Sequence, residues 1–572
     1  MLASLIVLLA PVVGLAAEPD SAPESTTEAE RILVDVLEQS TTLLAERDEQ
    51  AHYVALALTD LEEVELTARS GTIAASSRDH ERYLDVDVRV GTPELDSTHP
   101  LRGFSSLEAD DRWQVRVPLV DGPALRHAVW TELDARYRKA AERIVIIRAN
   151  RAVKIEEEDP SPDFEPRAPV VDRHEIPELV VDVEAWEAIL AEVSEHLEAS
   201  PVVHRASAQL TGERVVKTFV DTEGTRLVHG RTHVRLSLSA QTTAEDGDRI
   251  AVHESIDLHG TDGLPGREEL IALADAEVEE LVALAEAPRG TPYSGPVVLA
   301  GRAAAVFFHE VFGHRVEGHR QKSEDEGKTF AEQVGRPILP DFIDVYDDPT
   351  LSRMAGVDLN GHYAYDDEGV PAARAVLVED GVFTGFLMGR SPIARYPSSN
   401  GHGRRSVGNA PTSRMGNTII EARDPVDQAT LRQMLLHEIR ALDLDYGYIV
   451  DEIDGGFTQT GRVTPNAFNV RATATWRVHA DGRPDELVRG IDLVGTPLVA
   501  FGTLMAASEE VEVFNGTCGA ESGWVPVSAV APSLLFQNLE FQLKERGQER
   551  PPLLPRPDVA DGATMTGEEV VR

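Results

Sequence analysis

Cys518 is the only cysteine among 572 residues, so the chain has no internal disulfide and must be held together by ordinary apolar cores. That length suffices for two or more domains. A hydrophobic fraction of 42% supplies such cores and argues against global disorder. The formal charge is −44, from 98 Asp and Glu against 54 Lys and Arg, and it is spread along the chain. Such a charge repels phosphate backbones and anionic lipid surfaces, so nucleic acid is excluded as a partner. A solvated surface accounts for the acidity.

The N-terminus reads as an export signal. Residues 2–15, LASLIVLLAPVVGL, form one apolar run, and Gly14-Leu15-Ala16-Ala17 precedes the acidic Glu18-Pro19-Asp20. Small residues there suit a signal-peptidase site, so 1–17 are expected to be a signal peptide and the mature protein periplasmic or secreted. No Lys or Arg precedes the run, a departure from the usual signal; without a signal the chain is cytoplasmic. The run is short for a bilayer span and contains Pro11, so no stable membrane insertion is expected after cleavage. Outside the cytoplasm a lone thiol oxidises unless it is buried or bound to metal, and both protections suit Cys518.

Patterning divides the chain near residue 290. An N-terminal α+β domain over 29–290 is expected to open with a helix at 29–47. Strand-like runs follow around 52–58, 62–68 and 83–90. A long amphipathic helix is expected over 124–156, and the proline- and charge-rich stretch 156–178 reads as a surface excursion. A helix at 183–198 precedes alternating strands with a hairpin turn at Thr222-Glu223-Gly224, and a further helix at 267–287 closes the region. The second region, 291–546, opens with a strand, PVVLA, and a helix from about Ala303. The proline-rich, polar tail 547–572 is expected to be disordered.

Chemistry concentrates in GRAAAVFFHEVFGHRVEGHR. His309, Glu310 and His314, with Cys518 about 200 positions downstream, are the parts of a catalytic zinc site, which takes three protein ligands and keeps a fourth position for water. The spacing is unusual, because histidines four apart on a helix differ by about 40° around the axis whereas His309 and His314, five apart, differ by about 140°. Both can reach one ion only if the helix widens in a π-bulge or ends near Gly313 so that His314 swings back. His319 extends the five-residue recurrence and is read as a surface histidine, the other readings being an alternative ligand or a substrate contact. Glu317 is placed to orient a ligand histidine or to pair with Arg315 or Arg320. The block 399–416 reads as a mobile loop near the site, in which Arg404 and Arg405 could bind a peptide carboxylate or an oxyanion. DEIDGGFTQTGRVTPNAFNV reads as an edge strand and turn to which an extended peptide could add.

HEVFGHRVEGH resembles the extended HExxxH signature of the TldD/PmbA family of zinc metalloproteases, also called modulators of DNA gyrase. Four further blocks resemble it in the same order, at 365–387, 399–420, 446–470 and 513–540, so the likeness covers nearly all of 291–545. Over 29–290 only the general layout is similar. The resemblance implies an α+β, two-domain architecture whose C-terminal metalloprotease domain holds mixed sheets and the HExxxH helix. It implies one zinc ion per chain, bound by His309, His314 and Cys518, with Glu310 as the catalytic glutamate of the metal-binding TldD-like branch. It further implies cleavage of small or unfolded polypeptides within a homodimer or a heterodimer with a family partner. Where the family commonly carries an acidic residue after Glu-Gly, this chain has His319. Two rivals remain open at this point: a peptide-binding subunit with a structural metal, and a zinc hydrolase of a non-peptide amide.

Overall fold

The computed structural model describes residues 27–101, 114–152, 159–323, 326–458, 460–462 and 467–545, with the isolated positions 550 and 552. The expected signal peptide at 1–17 lies outside the described residues, as does nearly all of the tail 547–572. No helix among the described residues is long and apolar enough to cross a membrane.

The first of two large sheets has eight strands. Its long members are Ala51–Arg69, Thr72–Thr92, Arg205–Asp221 and Arg226–Thr243, joined in antiparallel pairs. Alternation decides what each face meets. Even-numbered residues of Ala51–Arg69 point to one face, where Leu56, Leu58, Val64 and Leu66 are buried under helices. Glu28–Leu44 and Pro123–Ala152 cover one end of this face, and Val183–Leu197 and Arg267–Glu286 cover the other. Full burial of each such side chain contributes about 1.5–3 kcal/mol. Odd-numbered residues face the rest of the chain, and along Arg205–Asp221 and Arg226–Thr243 many of them are polar, among them Glu213, Lys217, Arg231 and His233.

Two expectations for this half are corrected. The runs at 52–58 and 62–68 are one continuous strand, because Asp60 between them is paired on both sides, opposite Arg82 and Val216, and its carboxylate meets Arg82 Nε at 2.7 Å. The stretch 156–178, whose residues 156–158 lie outside the described ones, is not simply a surface excursion. Phe164 is 2% exposed and packs against Tyr53, with the Arg390 guanidinium 4.1 Å from its ring centroid, while Val171–Arg173 joins the sheet in parallel beside Arg226–Thr243. Arg390 also donates to Glu165 O at 2.8 Å and meets Glu223 at 2.6 Å, so this segment is clamped between the two halves. The turn at Thr222-Glu223-Gly224 forms as expected, with Gly224 at φ +99° and the Asp221 carboxylate accepting from Glu223 N and Thr225 N.

The second sheet has 13 strands and is organised by Gly523–Leu543. That strand pairs in parallel with Asn417–Ala422 and antiparallel with Tyr293–Leu299, Ile491–Gly495 and Leu504–Ala520. The helix Gly301–Val311 packs on one face of it, through a core that includes Leu299, Leu534 and Phe536. Gln428–Ala441 packs on the other face against Val298 and Leu535. Ile453–Thr458 lies in the sheet at an edge, pairing among the described strands only with Phe468–Ala472.

Glu277, on the inner side of Arg267–Glu286, is buried, and burial together with Glu254 and Glu280 pushes its carboxyl up to about 8. Its folded value lies above the ordinary 4.5, so the unfolded chain sheds this proton first and the fold is penalised increasingly as pH rises from about 4.5 to about 8. Glu277→Gln is expected to raise stability by about 2 kcal/mol at pH 8 and to leave it nearly unchanged at pH 4.5, measured by thermal unfolding at the two pH values.

Candidate metal centre

The helix Gly301–Val311 is anchored by aromatic packing before it presents any chemistry. Phe307 lies edge-on to Phe468 and Phe536, with ring centroids at 5.4 and 5.6 Å, and Phe308 stacks on Phe501 at 5.2 Å. These contacts fix the rotation of the helix and therefore the direction of His309 and Glu310, the next two residues.

The helix then stops. Phe312 is its C-cap, and Gly313–Arg315 form a single turn of 3₁₀-helix. Of the two ways open to HExxxH, the chain uses termination rather than a π-bulge. Two interactions hold the stop in place. The Arg315 side chain donates to Val311 O at 3.0 Å and Glu310 O at 3.3 Å, satisfying carbonyls that a continuing helix would have used. Gly313 sits so close to Met415 that an added Cβ would lie 2.0 Å from the thioether sulfur.

This stop returns His314 to the side of His309, with ring centroids 5.3 Å apart and planes at 80°. Cys518 arrives from the hairpin of Leu504–Ala520 and Gly523–Leu543, opposite Val525, and its sulfur lies 3.4 Å from His314 Nε2. One donor atom each from His309, His314 and Cys518 falls within 4.8 Å of the others, and all three residues are buried. Among the described residues this is the one cluster of at least three such donors. The donor set suits a borderline-soft divalent ion such as zinc. The fit is supported by His309 Nδ1, which is buried without a hydrogen-bond partner among the described residues.

Electrostatics tie the three together. Burial alone would raise the Cys518 thiol, yet His314 and His309 outweigh it and hold the thiol well below its ordinary value. Burial would likewise lower both imidazoles, and the facing sulfur reverses that, aided at His314 by Glu317. Glu310 is partly buried, and burial lifts its carboxyl above the usual range while His309 and His314 pull the other way. A carboxylate shifted upward beside a convergent donor set is suited to accept and release a proton.

Glu317 contacts both His314 and Arg320. Its carboxylate is fully buried, 3.4 Å from His314 Nδ1, and is held by Arg320 Nε at 2.9 Å and Arg414 Nε at 3.1 Å. The contact at Nδ1 leaves Nε2 of His314 facing the sulfur. Burial opposes ionisation of Glu317, but Arg320, His314 and Arg414 keep it charged.

The other expected residues fall elsewhere. His319 is outside the three-donor cluster, with Nε2 3.5 Å from Glu521 Oε2, and it is not a surface histidine, since both ring nitrogens are buried. The block 399–416 is not a loose loop, because His402 and Arg414 are fully buried and Gly403–Arg404 pairs with Thr412–Ser413. Arg404 donates to Met415 O and lies 4.7 Å from the Tyr363 ring centroid, while Arg405 pairs with Asp85. Both arginines line a cavity of about 330 Å³ between the two sheets, which neither Glu310 nor any of the three donors lines. The arginine of this block that does reach the cluster is Arg414, which sequence reasoning passed over because nothing in SRMGN separates it from its neighbours.

Gly313→Ala is expected to cost about 1–3 kcal/mol, because the new methyl displaces Met415. Chemical unfolding should show a smaller cost for the same change in a Met415→Ala chain, where the obstacle is gone.

Residues 292–543 match the family described as the PmbA/TldA metallopeptidase C-terminal domain. A protein of Methanothermobacter thermautotrophicus named metalloprotease is 29% identical over 327 residues, 56% of this chain and 66% of that one. A Haemophilus influenzae protein named metalloprotease TldD homolog is 25% identical over 351 residues, 59% of this chain and 67% of that one. The matched region spans 66%, 51% and 47% of the length of three curated relatives. The solved structure of TldE from Thermococcus kodakarensis superposes with a TM-score of 0.57 at 15% identity, covering 88% of this chain and 99% of that one, and it shows the same α+β fold. Residues 292–543, with the HExxxH turn and its distant cysteine, thus form a C-terminal domain of the TldD/PmbA family.

Proposed function

We propose that this protein is a zinc-dependent peptidase acting on small or unfolded polypeptides, with one zinc ion held by His309, His314 and Cys518 and with Glu310 as the general base. The observation that carries the reading is the approach of those three donor atoms to within 4.8 Å of one another, on the helix that also carries Glu310. The names of the relatives, metalloprotease and metalloprotease TldD homolog, agree with it.

A zinc ion bound there supplies Lewis acidity to a scissile carbonyl and lowers the pKa of a water molecule. The chain does the rest. Glu310 takes the proton from the attacking water and delivers it to the leaving amine, a role suited to its raised carboxyl. A thiolate donates more charge than a third imidazole, which lessens the acidification of water and makes the carboxylate base more important. The edge strand Ile453–Thr458 offers backbone groups to which an extended peptide adds as a further strand, a mode that favours unfolded substrates with limited sequence preference. Pairing with a second subunit, of this chain or of a family partner, and export to the periplasm or beyond belong to the same proposal.

Metal analysis and peptidase assays on the same purified samples test it. Glu310→Gln is expected to retain one zinc per chain while turnover of an unfolded peptide falls by about 10²–10⁴-fold. Cys518→Ala is expected to lose both zinc and turnover. Equal zinc in wild type and Cys518→Ala would remove the thiol from the site, and undiminished turnover in Glu310→Gln would remove the base.

A further inference from the structure

Arg414 is fully buried and reaches in two directions at once. Its Nε meets Glu317 Oε1 at 3.1 Å, on the carboxylate that faces His314 Nδ1. Its other nitrogens grip the hairpin that carries the thiol: Nη2 donates to Cys518 O at 2.7 Å, and Nη1 donates to Ser522 Oγ and Gly523 O, both at 3.0 Å. Its backbone N–H donates to the carbonyl of fully buried His402 at 2.9 Å, which fixes the base of the side chain. The next residue, Met415, is the one that fills the space beside Gly313.

From this geometry we propose that Arg414 is a positioning residue of the metal centre, setting the distance between the His314 turn and the Cys518 hairpin. The proposal rests on the reading of His309, His314 and Cys518 as metal ligands. The two donors are 204 residues apart in sequence and belong to different elements, so backbone hydrogen bonding within either element does not fix their separation. A guanidinium does fix it, its charge paired with the Glu317 carboxylate on one side while its Nη groups donate hydrogen bonds to the hairpin on the other. The charge of Glu317 makes the grip strong, and the Cys518 carbonyl makes it specific to the residue whose sulfur completes the cluster. Lysine cannot replace it, because one ammonium group on a flexible stem cannot span both sides.

The test uses the full chain loaded with Co²⁺, whose thiolate-to-metal charge-transfer band reports the sulfur–metal bond directly. Arg414→Lys is expected to weaken Co²⁺ retention by about 10–100-fold, the usual effect of losing a group that orients metal ligands, and to shift or weaken that band. The unfolding midpoint of its metal-free form should stay close to that of wild type. If Arg414→Lys does not fold, the Glu317→Gln/Arg414→Met chain, which removes both buried charges together, is compared with Glu317→Gln alone and is expected to show a further loss of retention and of the band, whereas equal retention in the two overturns the positioning role. Wild-type retention with an unchanged band in the folded variant overturns the positioning role and leaves the metal centre intact. A wild-type band that survives Cys518→Ala overturns the ligand assignment itself, a separate failure.

Discussion

Five residues of regular helix place two side chains on different faces, so the cluster of His309, His314 and Cys518 depends on the chain leaving helical geometry at Phe312. The stop is built from ordinary parts. Arg315 takes the carbonyls of Glu310 and Val311, and the absence of a side chain at Gly313 lets Met415 close over the turn. Gly313 matters here for the space it leaves; its backbone is that of a 3₁₀ turn, which any residue can adopt. The His314 imidazole then lies between Glu317 on one nitrogen and the Cys518 sulfur on the other.

The second requirement is a rigid frame for the sulfur. Gly523–Leu543 meets four other strands of the second sheet, and its hairpin partner delivers Cys518 while its apolar face receives the helix of His309. One strand thus positions both sides of the cluster. The first sheet contributes differently. Its even-numbered residues are spent on four helices, which leaves a face with many charged and polar groups toward the second half. Lys217, Arg231, Arg404 and Arg405 gather around the cavity there, in a chain whose overall charge is −44. Lys217 pairs with Asp367 and Arg405 with Asp85 across the two halves, Arg231 pairs with Glu213 within the first sheet and donates to Asn360 O of the second half, and Arg404 donates to the Met415 carbonyl.

Buried charge recurs at the cluster for a related reason. Glu317 is wholly inaccessible and remains ionised because two guanidinium groups and an imidazole face it. Removing one member of such a network costs far more than the network contributes net, so its value lies in geometry rather than in stability.

Local signals in the sequence determined much of the layout. Periodicity determined the helices at 28–44, 123–152, 183–197 and 267–286 to within a few residues, because their apolar spacing needs no partner to be visible. The HExxxH run, the lone thiol and the order of the glycine-rich blocks determined the family of the C-terminal domain and singled out His309, His314 and Cys518. Tertiary structure decided the rest. Asp60 and its neighbours become strand because ladders on both sides pair them, and Phe164 is buried because Tyr53 and Arg390, far apart in sequence, close over it. Among the arginines of 399–416, only folding separates Arg404 and Arg405, which turn to the cavity, from Arg414, which meets Glu317 and Cys518. A long cationic side chain carries no mark in sequence of which distant carboxylate or carbonyl it will meet, and that choice is made by the packing of elements up to 200 residues apart.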